Sequence, residues 1–532
     1  MSQRHLLIGL LCVAWILPGL IGHDPWKTDE AYTFGVIYDM VRGGSWLTPT
    51  LAGEPFLDEP PLYYLTAALT AFVASPLLPL HDGARLATGL YMALTLLFCG
   101  LAGRELHGKG NGAITALLVL GCFGLVLRGH ETITDIAPLA GFALAYYAWS
   151  LALRRAWAGG LLLGIAFGVV FLSQGVLETL ILLVITALLP TLSPEWRNRH
   201  YLRTLLAAAV VATPLILAWP WALHARSPAL FELWLQRDLY AMLGGTERDV
   251  SFYFRIMPWH AWPVWALCLW QLWNTRREQY AMPAVALPLT GFVVTFLLLS
   301  VGSGARDLYA LTLLPAAALL STPVARNLRR GAANAWLWFS ITCATFFIVV
   351  AWFYWTGLEL GIPARLHAHL HRLQPGYPPG FRVLPFMLAA CYTLAWFALL
   401  VKLKHSVERP VIVWAAGVTV LWGLTAILFV GWVDTGKSYR AVFTSMQQSL
   451  PARYRCVASR NLGESQRAML HYYANIISQR EEIALKKNDC DLLLLQGVVG
   501  KEPTLGARWR KIWEGGRPGD RVERYRLYRK QS

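Results

Sequence analysis

Pro61-Leu62-Tyr63-Tyr64-Leu65-Thr66-Ala67-Ala68-Leu69-Thr70-Ala71-Phe72-Val73-Ala74-Ser75-Pro76-Leu77-Leu78-Pro79-Leu80 is apolar enough to cross a bilayer, yet proline punctuates it at both ends. Whether it crosses sets the side on which everything after it lies. Apolar stretches of about 17–25 residues recur along the chain, the length a helix needs to span a membrane. They cover 5–22, 84–103, 112–127, 133–152, 157–172, 175–191, 203–221, 258–274, 282–301, 307–323, 334–356, 382–401 and 410–432. Suppose 61–80 does not cross. The connectors holding Arg104/Lys109, Arg154/Arg155, Arg197/Arg199, Arg276/Arg277, Arg326/Arg329/Arg330 and Lys402/Lys404 then share one side with Arg4. Basic connectors belong in the cytoplasm. The stretch 61–80 therefore reads as an interfacial helix on the outer face, in a chain of about thirteen spans with its N-terminus inside.

Composition agrees. Hydrophobic residues make up 56% of the 532 and charged residues only 15%, where soluble domains carry about a quarter. A retained first helix fits 5–22 better than a signal peptide, because no small-residue cleavage site follows it. The 24 Trp suit many segment ends at the interface. The net charge of +16 sits mostly in short connectors, without a recognition motif, and so does not point to nucleic acid.

The chain changes character near residue 434. Residues 1–433 read as the membrane domain, with an outer loop at 23–83. Residues 434–532 read as a small soluble α/β domain outside the cytoplasm. In it, 455–458 and 491–495 read as buried strands, 464–480 as a helix, and Gly515-Gly516-Arg517-Pro518-Gly519 as a turn before a last strand. Cys456 and Cys490 both fall in this region. A disulfide is allowed outside the cytoplasm, but sequence alone leaves it open against two buried thiols.

Chemistry concentrates at the outer ends of the spans. The first loop carries Trp26-Lys27-Thr28-Asp29-Glu30-Ala31-Tyr32 and later Asp58-Glu59-Pro60-Pro61-Leu62-Tyr63-Tyr64. The second acidic site is His130-Glu131-Thr132-Ile133-Thr134-Asp135. Carboxylates at a membrane boundary cost free energy unless paired, hydrated or used. Further along, Arg237, Arg248, Arg306 and Tyr309 emerge on the same face. Arginine offers a planar fork of donors to a phosphate, and it also anchors helices beside lipid headgroups.

At these residues the chain resembles the bacterial membrane glycosyltransferases of the protein-mannosyltransferase and aminoarabinose-transferase superfamily, which share the GT-C fold. The resemblance rests on Asp29-Glu30-Ala31-Tyr32, Gly44-Ser45-Trp46, Asp58 to Tyr64, Arg85-Leu86, Thr134-Asp135, the Trp219-Pro220-Trp221 region, and Arg306 to Tyr309 with Leu314-Pro315. It implies a mainly α, polytopic GT-C protein. The implied activity is inverting transfer of a sugar from a polyprenyl-phosphate donor to a lipid (lipid A-like) or protein acceptor. Asp29, Asp135 and Glu30 become the catalytic candidates. Arg237, Arg248, Arg306, Tyr309, Lys27, Tyr32 and Tyr63 become candidates for holding the donor phosphate and sugar. A divalent cation between the separated carboxylates stays open, and His-rich ligation is absent.

The chain departs from the family at two lysines, having Glu59 in Asp58-Glu59-Pro60 and Gln174 in Ser173-Gln174-Gly175. Two other classes are therefore weighed. A lipid or solute transporter is disfavoured, since no inverted repeat is visible and the acids lie at outer ends rather than mid-membrane. A non-catalytic or divergent membrane assembly protein is separated from an enzyme by the effect of Asp29→Asn.

Overall fold

A computed structural model of the chain describes residues 3–243, 249–302, 304–483, 489–503, 505–506 and 508–531. It is mostly helical. Among the described residues, seven helices are long and apolar enough to cross a membrane: Leu80–His107, Ala156–Gln174, Arg199–Arg226, Pro283–Val301, Arg330–Leu360, Val383–Lys402 and Arg409–Leu428. Five apolar helices of 10–17 residues accompany them: Leu6–Ile16, Leu62–Ala74, Asn111–Leu120, Ile136–Ala152 and Val176–Leu192. The chain is a multi-pass membrane protein.

Three expected spans are broken into pieces. The stretch 112–127 divides at Gly121-Cys122 into Asn111–Leu120 and Phe123–Arg128. The stretch 258–274 divides before Pro263, which has no amide hydrogen to continue a helix, giving Phe252–His260 and Val264–Asn274. The stretch 307–323 opens as a 3₁₀ turn, Tyr309–Leu313, before the helix Leu314–Arg326.

Close packing comes from small residues. On Ala156–Gln174 the glycines at 160, 164 and 168 form a stripe against Arg199–Arg226. A Cβ at Gly160 would fall 2.5 Å from the Thr204 carbonyl, and one at Gly164 2.7 Å from that of Ala208. Lipid offers helices little hydrophobic drive to associate, so close backbone approach supplies the van der Waals contact instead.

The decisive stretch forms the helix Leu62–Ala74, with Pro61 as its N-cap and Pro76 beyond its end. It buries Tyr63, Tyr64, Ala67, Ala68 and Ala71, and it leaves Leu69, Phe72 and Val73 exposed.

The polar C-terminal region forms a five-stranded sheet. Its order is Gln479–Arg480, Val457–Arg460, Leu492–Val498, Glu523–Lys530, Trp509–Gly515. The first two pairings are parallel and the last two antiparallel. Cys456 and Cys490 are joined in a disulfide. The helix expected over 464–480 is shorter, Glu464–Ala474. Asn475 adopts a left-handed conformation that ends it, and 479–480 pair as an edge strand instead. This helix packs on the outer-loop helix Asp29–Val41, where a Cβ at Gly35 would lie 2.3 Å from that of Ala468. Ser465 Oγ donates to the Thr28 carbonyl at 2.8 Å, and Arg467 pairs with Glu54 at 2.7 Å.

One buried ion cluster ties the outer loop to the helices. The Arg85 Nε donates to Glu30 Oε1 at 2.7 Å, and its Nη1 donates to Asp82 at 2.8 Å. The same guanidinium reaches the carbonyls of Leu20 and His23, both at 3.2 Å. Glu30 also accepts the amides of Trp26 at 3.0 Å and Thr132 at 3.1 Å. Burial alone would push its carboxyl up, but Arg85, His23 and the Trp26 amide together outweigh that and hold it down at about 2. Removing one partner leaves an uncompensated buried charge, which typically costs about 3–5 kcal/mol. Arg85→Ala should therefore lower the melting temperature of the detergent-purified protein sharply. Glu30→Ala should do the same, and the double variant should lose less than the sum of the two.

Candidate active site

Asp29 is the first residue of the helix Asp29–Val41 and turns its carboxylate into a cavity of about 500 Å³. Tyr32, one turn on, lines the same cavity and donates its hydroxyl to Asp29 Oδ1 at 3.3 Å. Opposite, Arg306 precedes the turn Tyr309–Leu313 and makes an ion pair with Asp29. Its guanidinium also lies 5.9 Å from the centre of the Tyr309 ring. Arg237, on the helix Pro228–Leu243, lines the rim and pairs with Asp58 at 2.5 Å. Glu464, from the C-terminal region, completes that rim.

Asp135 caps the helix Ile136–Ala152 and is buried beside this cavity. It accepts a hydrogen bond from Gln174 Nε2 at 3.3 Å. Glu59 lines the cavity and accepts the Tyr64 hydroxyl at 3.1 Å. Burial first, and then the negative charge of Asp135, raises Glu59 to about 8. Burial likewise raises Asp135, to about 6, against the pull of Arg306. Both carboxyls therefore hold their protons more tightly than free ones do.

The structure thus brings together Asp29, Tyr32, Arg237, Arg306 and Tyr309, with Asp135 alongside. It does not bring Glu30 there. That carboxylate is turned away from its neighbour Asp29 and is bound by Arg85 and two backbone amides. Tyr63 is also elsewhere, fully buried with its hydroxyl 2.7 Å from that of Thr88. Lys27 points toward Asp520, at 3.9 Å, and does not line the cavity. Arg248 lies outside the described residues.

Sequence reasoning missed Arg128. It pairs with Glu131 at 2.8 Å and Asp307 at 3.1 Å, and its guanidinium stands 4.0 Å from Asp29. Its signal was a lone arginine at the outer end of an apolar stretch, three residues before an acid. Glu178 and Asp238, which also line the cavity, were missed as well. Among the described residues, no group of three or more His, Cys, Asp or Glu side chains is placed to hold a metal ion.

Residues 58–224 match the family model described as dolichyl-phosphate-mannose-protein mannosyltransferase. Two similar curated relatives are undecaprenyl phosphate-alpha-4-amino-4-deoxy-L-arabinose arabinosyl transferases. That of Pseudomonas fluorescens is 26% identical over 62% of this chain and 61% of its own length. That of Pseudomonas aeruginosa is 27% identical over 62% of each. The chain thus spans about three fifths of the length of the curated relatives it matches. In three dimensions it resembles ArnT from Cupriavidus metallidurans bound to undecaprenyl phosphate, with a TM-score of 0.72 at 15% identity, covering 98% of this chain and 97% of that one. The apo form of the same protein gives 0.71.

The Glu59–Asp135 pair makes a pH prediction. Both groups bind protons more tightly folded than unfolded, so the native state holds more protons than the unfolded one between about pH 4 and 8. Stability must then fall as pH rises through that window. The melting temperature of the wild type should drop more between about pH 5 and 8 than that of Glu59→Gln. Parallel curves would show that Glu59 does not bind its proton more tightly in the folded chain.

Proposed function

We propose that this chain, which carries the GT-C fold of the protein-mannosyltransferase and aminoarabinose-transferase superfamily, transfers a sugar from a polyprenyl-phosphate donor to a lipid acceptor at the outer face of a bacterial inner membrane. The observation that carries this is the contact of Asp29 with Arg306 inside one cavity, flanked by Tyr32 and Tyr309. A carboxylate and a guanidinium at one point are what the reaction requires.

The acceptor hydroxyl attacks the anomeric carbon as the bond from that carbon to the phosphate oxygen breaks. Asp29 takes the hydroxyl proton as general base. The polyprenyl phosphate leaves with the bonding electrons and is already anionic, so it needs cationic stabilisation rather than a proton. Arg306 supplies that, with Arg237 at the rim. Arg306 pairs with Asp29, and a phosphate that competes for this guanidinium frees the base. Attack opposite the leaving group gives inversion. Asp135, within electrostatic reach of Asp29, is oriented by the Gln174 amide.

The topology that goes with this has about thirteen spans, a cytoplasmic N-terminus and an extracytoplasmic 434–532 domain. A helix lies within each expected span, and Leu62–Ala74 has one face buried on protein and an exposed apolar one, which supports the reading of an interfacial helix on the outer face. The relatives' names give an undecaprenyl phosphate-linked aminoarabinose, and the family model's description names a protein acceptor. The lipid acceptor is preferred because the aminoarabinose transferases match 62% of this chain, whereas the mannosyltransferase model matches residues 58–224 alone.

The test is transfer of label from a radiolabelled cell lipid extract containing polyprenyl-phosphate sugars by the purified full-length protein. Asp29→Asn should lose about 10²–10⁴-fold in rate while melting at an unchanged temperature. Equal transfer by both proteins would remove Asp29 from the chemistry. No transfer by either, with folded protein and varied acceptors, would favour an assembly protein that keeps the fold.

A further inference from the structure

The cavity is lined by six carboxylates, those of Asp29, Asp58, Glu59, Glu178, Asp238 and Glu464, and by two arginines. Both arginines are already committed, Arg306 to Asp29 and Arg237 to Asp58. Neither Glu59 nor Glu178 has a basic side chain at ion-pair distance among the described residues.

Glu178 is the least expected of these. It stands in the first turn of Val176–Leu192, only 4% exposed, and lines the cavity. Its Oε2 has no hydrogen-bond partner among the described residues. A buried carboxylate oxygen without a partner costs free energy, and such groups at membrane depth are kept where a ligand completes them. Asp135, Glu59 and Asp238 are close enough to act on it electrostatically. Glu59 itself stands where the resembling family has a lysine.

We propose that Glu59 and Glu178 form a cation subsite that receives a protonated primary amine borne by one of the two substrates. This rests on the glycosyl-transfer reading of the same cavity. The cavity then has two halves, one in which Arg306 and Arg237 meet the phosphate and one in which the two glutamates meet the amine. An ammonium group fits better than a divalent ion. It needs only two or three hydrogen-bond acceptors around one nitrogen, and no three ligands here converge as a metal requires. The side chains of Tyr64 and Thr134 hold Glu59 in place, leaving its remaining lone pairs for the amine. An ammonium beside Glu59 favours the ionised carboxylate, so its binding releases the proton that burial favours.

The amine belongs either to the donor sugar or to the acceptor, and binding separates the two. Full-length protein in nanodiscs is titrated with undecaprenyl phosphate, with undecaprenyl phosphate-4-amino-4-deoxy-arabinose and its N-acetyl derivative, and with phosphatidylethanolamine and its N-acetyl derivative. The wild type should bind the free amine of one pair about tenfold more tightly than its N-acetyl form. That ratio should fall to near one in both Glu178→Gln and Glu59→Gln, whose melting temperatures report that they fold. A preference in the first pair places the amine on the donor, and one in the second places it on the acceptor. A wild type that binds undecaprenyl phosphate but treats amine and N-acetyl forms alike keeps the donor reading and overturns the subsite. A preference that persists in both variants also overturns it. A chain that ignores undecaprenyl phosphate yet prefers amine lipid keeps the subsite and overturns the donor reading.

Discussion

The Arg85 guanidinium is the constraint on which the outer face depends. It is fully buried and binds Glu30, Asp82 and the carbonyls of Leu20 and His23 at once. Through Glu30 it reaches the amides of Trp26 and Thr132, so the first outer loop, the helix Leu80–His107 and the 131–135 turn are fixed to one point. Asp29 follows Trp26 by three residues and Asp135 follows Thr132 by three. With both segments tied to Glu30, Asp29 comes to the cavity and Asp135 lies beside it. A buried charge must be satisfied in full or not at all, and here the satisfaction doubles as positioning.

The C-terminal region repeats this logic from above. Asp24 accepts Ser438 Oγ at 2.6 Å and pairs with Arg440, His471 meets Asp39 at 2.9 Å, and Glu464 reaches the cavity rim. The sheet domain is therefore a wall of the site as well as a cover. Gln174 fits the same picture. A lysine there would offer Asp135 a full charge, whereas the amide offers a neutral hydrogen bond.

Much of the membrane architecture was legible because hydropathy and proline placement are local signals. Pro61 and Pro76 bounded Leu62–Ala74, and each expected span contains a helix. Asp29 and Arg306 were legible from family resemblance, although 277 residues separate them and only the fold puts them in contact. Glu30 was grouped with Asp29 because they are adjacent in sequence. Successive helical residues point about 100° apart, and the fold turns Glu30 to Arg85 while Asp29 lines the cavity. Arg128 and Glu178 were hidden because their meaning lies in long-range partners, or in the lack of one. The 479–480 strand was hidden because Asn475, a polar residue tolerating the left-handed conformation, ends the helix without a glycine or proline to mark it.

The claim at the centre is that the cavity between Asp29 and Arg306 is where the donor phosphate binds. An experimental structure of the full-length protein with undecaprenyl phosphate tests it most directly. The account predicts phosphate oxygens within hydrogen-bond distance of the Arg306 guanidinium, with the Asp29 carboxylate released from it and facing the same space. A phosphate seated elsewhere, with the Asp29–Arg306 pair still closed, would contradict it.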